Sequence, residues 1–366
     1  MPQPPQQSVF FRLYASEISY FSGKVRPAFR YKRVPCVEIL PTPEVQRDII
    51  RARTGLGLIP TVVTPDDETW QDSSDILDRL EALYPDPPLY PRSPVQRLFG
   101  YLVELYVDEF LMVPGVHYRW SYPESAAKAR ADFVAMTGDP SVLRFADQVA
   151  MFTRLAGALP ETIPAWEAHA EALFALLEEH LTSQPYLLGG RPSLADCALM
   201  GPLYAHFYLD AVPGRILREH ALRVCHWIER MNHPDPDSFS NWAAGDGLPG
   251  RMPALLSLLG ADAIPFVLDH ARAIESWADT APADAGFLPR AVGTHATTLR
   301  GVHFERITTP YTLWMVQRVL AAYEALDDRG RAAVDAGLSG TGCEQLFSYR
   351  ARHRVERRPF RLVLAR

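Results

Sequence analysis

Between Tyr84 and Pro94 the chain reads YPDPPLYPRSP, with five prolines in eleven residues. Each proline ring fixes φ, removes a backbone donor and pushes the preceding residue out of the helical region. Neither a helix nor a central strand absorbs that density, so the segment must be extended. It divides a short first part of the chain from a longer second part. Many of the other prolines, 32 in all, fall between apolar runs and mark element ends.

Upstream of this divide the residues suggest a small mixed domain. Residues 1–7 read as a loose tail, and residues 9–14 (VFFRLY) as a short buried strand. Val25, Ala28 and Phe29 share one helical face. Because Pro27 is tolerated only in a first turn, that helix is expected to begin near Ser22 or Gly23. A second strand over 36–40, a polar helix over 44–53, a hairpin of 61–63 with 68–70, and a helix over 73–83 complete a β-α-β-α-β-β-α order.

Downstream the pattern is helical, with i, i+3, i+4 apolar spacing over 95–111, 142–158, 163–181, 194–209 and 216–231. Residues 232–253 read as a long loop before a helix over 263–278. A candidate hairpin follows, 292–298 with 302–308 around Arg300-Gly301, and then a helix over 311–326. The expected plan is a tail (1–7), a mixed domain (8–84), a proline-rich linker (85–94), an all-helical domain (95–231) and an extension (232–366) packed on the helical domain.

Composition narrows the function classes. A length of 366 residues suggests two domains, and 48% hydrophobic with 22% charged residues argues against disorder. A net charge of −6 offers no overall attraction for nucleic acid or anionic lipid. The four cysteines have no paired spacing, which points away from disulfides and zinc and towards a reducing compartment. The N-terminus lacks a secretory pattern, and the uncharged stretch 197–209 is too short to span a bilayer, so a cytoplasmic protein without a membrane or nucleic-acid partner is expected. No HExxH is present among the residues that hold the eleven histidines, so no metal is expected. The seven arginines of 350–366 are expected to pair with the chain's own carboxylates or a partner subunit.

Four segments carry candidate chemistry. Ser19-Tyr20-Phe21-Ser22-Gly23-Lys24-Val25-Arg26 is a strand-to-helix turn with a serine at the helix start. Leu58-Ile59-Pro60-Thr61 is a turn before a strand, and Gln71-Asp72-Ser73-Ser74-Asp75-Ile76 opens a helix with Asp72 or Ser73 as the cap. Arg191-Pro192-Ser193-Leu194-Ala195-Asp196 is a Ser-x-x-Asp capping box, a structural device.

From the N-terminus to about Met231, these segments resemble the glutathione transferase family, of its serine or cysteine type. The resemblance implies fold class α+β/α: a thioredoxin-like domain followed by an all-α domain, here with an atypical C-terminal extension. It implies a transferase in which Ser19 donates a hydrogen bond to the glutathione sulfur rather than attacking as a nucleophile. A thiol of pKa about 8.5 needs roughly 2.7 kcal/mol of thiolate stabilisation to ionise two units lower, and a hydroxyl with a helix N-terminus supplies part of it. Ile59 and Pro60 would form a cis turn that pairs with the cysteinyl backbone, and Asp72 and Ser73 would hold the γ-glutamyl end. Tyr20, Tyr101, Leu105 and Asp108 are the pocket residues implied for a small hydrophobic electrophile. Glutathione is the implied co-substrate, without a metal, and a homodimer the implied assembly. The sequence departs from the family at Tyr20, where a proline is usual, and at Leu58, where many members carry a basic residue. Tyr14 and Tyr20 are substitute hydroxyls for the first role, and Arg51 and Arg53 substitute cations for the second. The alternative reading is a family-like scaffold that binds without catalysing.

Overall fold

The computed structural model describes residues 9–282 and 286–365, so the tail expected at 1–7 lies outside the described residues. The first domain contains β1 (Phe11–Tyr14), α1 (Tyr20–Tyr31), β2 (Cys36–Ile39), α2 (43–54), β3 (Thr61–Val63), β4 (Thr69–Gln71) and α3 (Ser73–Leu83). Its sheet runs β2-β1-β3-β4, with β1 parallel to β2 and the other pairs antiparallel. This is the thioredoxin-like arrangement. Leu13, Val25, Ala28, Phe29, Val62, Trp70, Ile76, Leu77 and Leu80 form part of the main core, while Tyr14, Ile50 and Val63 pack a smaller cluster. Alternation across a strand accounts for the split, since Val62 and Val63 point to opposite faces.

One expectation fails in α1. The helix starts earlier than Ser22, because Ser19 caps it, and Pro27 therefore sits inside it rather than in its first turn. The cap and the buried stripe of Val25, Ala28 and Phe29 outweigh the lost backbone bond at Pro27.

Residues 85–93 form neither helix nor strand, and α4 (94–120) begins at Pro94, with Ser93 accepting from the Gln96 N–H at 3.2 Å. Lys32 pins the linker by donating to the carbonyls of Tyr84 at 2.6 Å and Pro87 at 2.8 Å. The second domain continues with α5 (Pro123–Thr137), α6 (Leu143–Leu155), α7 (Ile163–His180), α8 (194–208), α9 (Ala211–His220) and α10 (Leu222–Asn232). The single helix expected over 216–231 is two helices, broken where Ala221 adopts φ −144. Helix α5 escaped the periodicity because only Ser125, Ala126 and Ala129 of it are buried, too thin a stripe to read.

The extension is α11 (252–278), β5 (Gly293–Leu299), β6 (Val302–Thr308), α12 (Tyr311–Glu324), α13 (Asp328–Leu338), α14 (Gln345–Ser348), β7 (Arg354–Arg357) and β8 (Leu362–Ala365). Helix α11 is long and apolar enough to span a membrane by length and composition, yet Leu255, Leu256, Leu259, Phe266 and Ile274 are buried in the core. The β5-β6 hairpin turns at Arg300 and Gly301, both at positive φ, as the Arg-Gly pair suggests. Helices α12 and α13 lie against α4. The extension also reaches the first domain: Arg318 pairs with Asp78 at 2.6 Å, and Arg361 donates to the Gly55 carbonyl at 3.2 Å. The four cysteines are free thiols.

The two domains meet where α1 crosses α8 at backbone contact. A Cβ on Gly201 would lie 2.6 Å from the Tyr20 carbonyl oxygen, and one on Gly23 3.2 Å from the Gly201 Cα. Only glycine permits that approach.

Candidate functional site

Strand register gathers three of the sequence-predicted segments. Tyr14 pairs with Thr61, and Thr61 pairs with Gln71. The chain leaving Tyr14 towards Ser19, the Ile59-Pro60 peptide entering Thr61, and Asp72 following Gln71 therefore emerge at one end of the sheet. Two helix N-termini, of α1 and α3, open onto that end and bring backbone N–H groups and partial positive charge.

Ser19 is the N-cap of α1, and its Oγ accepts from the Ser22 N–H at 3.3 Å. A capping serine uses its oxygen as acceptor, so its hydroxyl hydrogen remains free to donate. The Ile59-Pro60 peptide is cis. Asp72 stands at φ 88, a backbone region that side chains rarely adopt, and caps α3 by accepting from the N–H groups of Ser74 at 3.0 Å and Asp75 at 3.2 Å. Ser73 is buried beside it.

Beneath this end lies an ionic cluster that joins all three parts of the chain. Lys24 Nζ lies 2.7 Å from Asp108 Oδ2, 2.9 Å from Glu104 Oε1 and 2.9 Å from Ser74 Oγ. Arg318 of α12 adds bonds to Glu104 at 3.1 Å and Asp78 at 2.6 Å. Burial alone would discharge the Lys24 ammonium, but the Asp108 and Glu104 carboxylates outweigh it and hold its pKa up. Burial also raises Asp108, whereas Lys24 and Arg318 together hold Glu104 down against its own burial. Next along α4, burial pushes Glu109 up to about 7, and its carboxylate accepts from the Thr312 hydroxyl.

The extension supplies the outer part of the same corner. Tyr311 donates to Asp72 Oδ2 at 2.7 Å, and burial with the Asp72 charge keeps that phenol protonated. Arg357 donates to the Gln71 carbonyl at 2.5 Å and stands 3.9 Å from Asp72 and 3.7 Å from Asp75. The sequence supports only the expectation that the arginines of 350–366 pair with the chain's own carboxylates or a partner subunit, not these particular partners. They lie more than two hundred residues from Asp72, and no local pattern encodes such a pairing.

The four residues expected to line an electrophile pocket do not form an open wall. Tyr20 is buried, with its hydroxyl donating to the Val107 carbonyl at 2.7 Å, so it is bound to the chain rather than offered to a ligand. Leu105 is in the core, Asp108 is held by Lys24, and Tyr101 packs beside Tyr90 with the Arg318 guanidinium over its ring. The cover of α12 over α4 accounts for Tyr101, and the contacts of α1 with α4 account for Tyr20 and Asp108. Arg53 is held by Asp67 at 2.6 Å and by Thr69, whereas the exposed Arg51 lays its guanidinium over Gly57, next to Leu58. Asp196 is buried, accepting from the Ser193 and Leu187 N–H groups, the Ser193 hydroxyl and the Trp227 indole. Among the described residues, no group of three or more His, Cys, Asp or Glu side chains is placed to hold a metal ion.

Two family models match the chain: the glutathione S-transferase N-terminal domain over residues 13–88 and the glutathione S-transferase C-terminal domain over residues 160–244. No curated protein matches it. Among solved structures, the beta-etherase LigF from Sphingobium sp. strain SYK-6 is 21% identical, with 62% of this chain and 96% of that one covered at a TM-score of 0.45. A glutathione S-transferase from Rhodospirillum rubrum F11 is 18% identical, with 66% and 98% covered at 0.42. A glutathione S-transferase from Methylobacterium radiotolerans, in complex with glutathione sulfonate, is 21% identical, with 64% and 97% covered at 0.40.

Proposed function

Because the chain belongs to the glutathione S-transferase family, we propose that it binds glutathione at the sheet end where Ser19, Ile59-Pro60 and Asp72-Ser73 converge, and transfers its thiolate to a small apolar electrophile. The observation that carries this reading is the Tyr14, Thr61 and Gln71 register, which turns three separate sequence segments into one corner. The γ-glutamyl end would lie at the α3 N-terminus, with its ammonium on Asp72 and its carboxylate at Ser73. The cysteinyl backbone would pair with the chain before Thr61, as an added strand does. The sulfur would then face the α1 N-terminus, where the Ser19 hydroxyl donates to it and the helix dipole favours its ionised form. The thiol proton passes to solvent, the sulfur electron pair forms the new carbon–sulfur bond, and from a chloro-aromatic acceptor the chloride leaves with the pair of the broken carbon–chlorine bond; Ser19 forms no covalent bond.

Calorimetric titration with glutathione and turnover of a chloro-aromatic acceptor test this reading. A charged hydrogen bond is worth about 1.5–3 kcal/mol, so Ser19→Ala is expected to lower turnover at neutral pH by roughly tenfold or more and to shift the pH profile of turnover upward. Turnover indifferent to that substitution sinks the role of Ser19. A second reading, a non-catalytic binding scaffold, is favoured by the Tyr311 hydroxyl already seated on Asp72. Failure to be retained on glutathione resin, with a well-folded spectrum, supports it, whereas retention favours the first reading.

A further inference from the structure

The β7-β8 hairpin is held from behind. The Val355 N–H donates to Gln317 of α12 at 3.0 Å, and the Leu288 N–H to the Leu362 carbonyl at 2.8 Å. The Arg352 and His353 N–H groups both donate to Glu275 of α11. The turn itself closes with the Arg358 N–H on the Arg361 carbonyl at 2.8 Å. Thus fixed, it touches the first domain at two places. Arg357 meets Gln71, Asp72 and Asp75 at the head of α3, and Arg361 meets Gly55, where α2 ends and the chain turns towards Ile59. These two places border the corner assigned to glutathione, so the hairpin bridges its rims.

We propose that this hairpin is the outer wall of the glutathione groove, with Arg357 and Arg361 binding the two terminal carboxylates of the tripeptide. The proposal rests on the glutathione reading above and adds a cation from the extension at each end of the ligand. Glutathione carries one carboxylate at its γ-glutamyl end and another at its glycine end. At the glycine end the first domain offers Leu58, with Arg53 tied to Asp67 and Arg51 lying over Gly57. Arg361 brings a cation to that end from the far side of the chain; its side chain makes one bond, to a carbonyl, and leans over the Phe287 ring. At the other end, Arg357 faces Asp72 and Asp75 across 3.9 and 3.7 Å, beyond hydrogen-bond reach. Its donors other than the Nη2 bonded to Gln71 are the ones offered to a ligand carboxylate. Each Asp72 oxygen can accept more than one bond, so the Tyr311 hydroxyl leaves room for the ammonium.

The test is calorimetric titration of the full chain with glutathione, with its glycine monoethyl ester, and with γ-aminobutyryl-cysteinylglycine, which lacks the γ-glutamyl α-carboxylate. Arg361→Ala is expected to weaken glutathione binding about tenfold and to leave the ester bound as the wild type binds it. Arg357→Ala is expected to do the same with the γ-aminobutyryl analogue as its matched ligand, and Arg357→Lys, which keeps the charge, to recover part of the affinity. Either arginine variant binding glutathione as tightly as the wild type overturns the proposal and leaves the hairpin a structural tether. Tighter binding by the variants also overturns it and makes the hairpin a cover over the groove. Failure of the wild type to bind any of the three overturns the glutathione reading and this inference together, whereas wild-type binding with unaffected variants overturns this inference alone.

Discussion

Arg318 and Arg357 belong to the same extension and meet the same helix, α3, each facing two carboxylates. Arg318 lies 2.6 Å from Asp78 and 3.1 Å from Glu104, and Glu104 in turn neutralises Lys24. Arg357 keeps its two carboxylates at 3.7 and 3.9 Å and bonds a carbonyl instead. Both bonds tie the extension to the first domain, but the difference of about an ångström separates a cation closely matched by carboxylates from one that is not. A buried, closely matched charge acts on stability, because removing a partner strands the rest. An incompletely matched charge beside the corner proposed for glutathione is the one expected to act on binding.

The largest effect is expected at the base of the matched cluster. Lys24→Met strands Asp108 and Glu104 beneath the α1 N-terminus and should lower unfolding free energy by about 3–5 kcal/mol in urea titration. A loss under 1 kcal/mol would mean that Arg318 alone neutralises the cluster, and the contrast with Arg357 would collapse. Next comes a control remote from both arginines. Asp196→Ala removes the acceptor of four hydrogen bonds and should cost about 2–4 kcal/mol, lowering the melting temperature while leaving glutathione affinity of the folded protein nearly unchanged. A large affinity loss with unchanged melting would contradict its structural role.

The last test is in pH. Burial raises Glu109 to about 7, above the ordinary carboxyl value, so the folded chain holds a proton there that the unfolded chain releases. The contribution is complete below about pH 4 and is lost as pH rises through about 7, with a slope near 1.4 kcal/mol per pH unit between those values. Asp108 is raised by burial and adds in the same direction, while Glu104, depressed to the opposite side, loses its contribution only in strong acid. Glu109→Gln should flatten the slope between pH 5 and 7 in chemical denaturation (a window set by the value of about 7). An unchanged slope would place the titration elsewhere.

The first domain was legible because local signals agree there. The aromatic strand at Phe11–Tyr14, the Leu58-Ile59-Pro60 turn and the cap at Asp72 each bring a short-range constraint, and the strand register then assembles them. The sequence misplaced the start of α1 because Pro27 argued more loudly than the cap at Ser19. It missed the first half of α11 because Pro253 and Gly260 interrupt the apolar pattern from which a helix is read. The outer half of the candidate site was not legible at all. Tyr311 and Arg357 look like an ordinary helix residue and part of an ordinary basic tail until tertiary packing brings them to Asp72, and nothing local places Arg361 beside Gly55.

The contact between Gly23 and Gly201 sets the mechanics of this site. With backbone against backbone, α1 meets α8 without an intervening side-chain layer, so the cap at Ser19 is referenced directly to the second domain. Asp72, held by Tyr311 and faced by Arg357, is referenced to the extension instead. The two helix N-termini of this corner thus take their positions from two different parts of the chain, and a change in how those parts pack alters the distance between them.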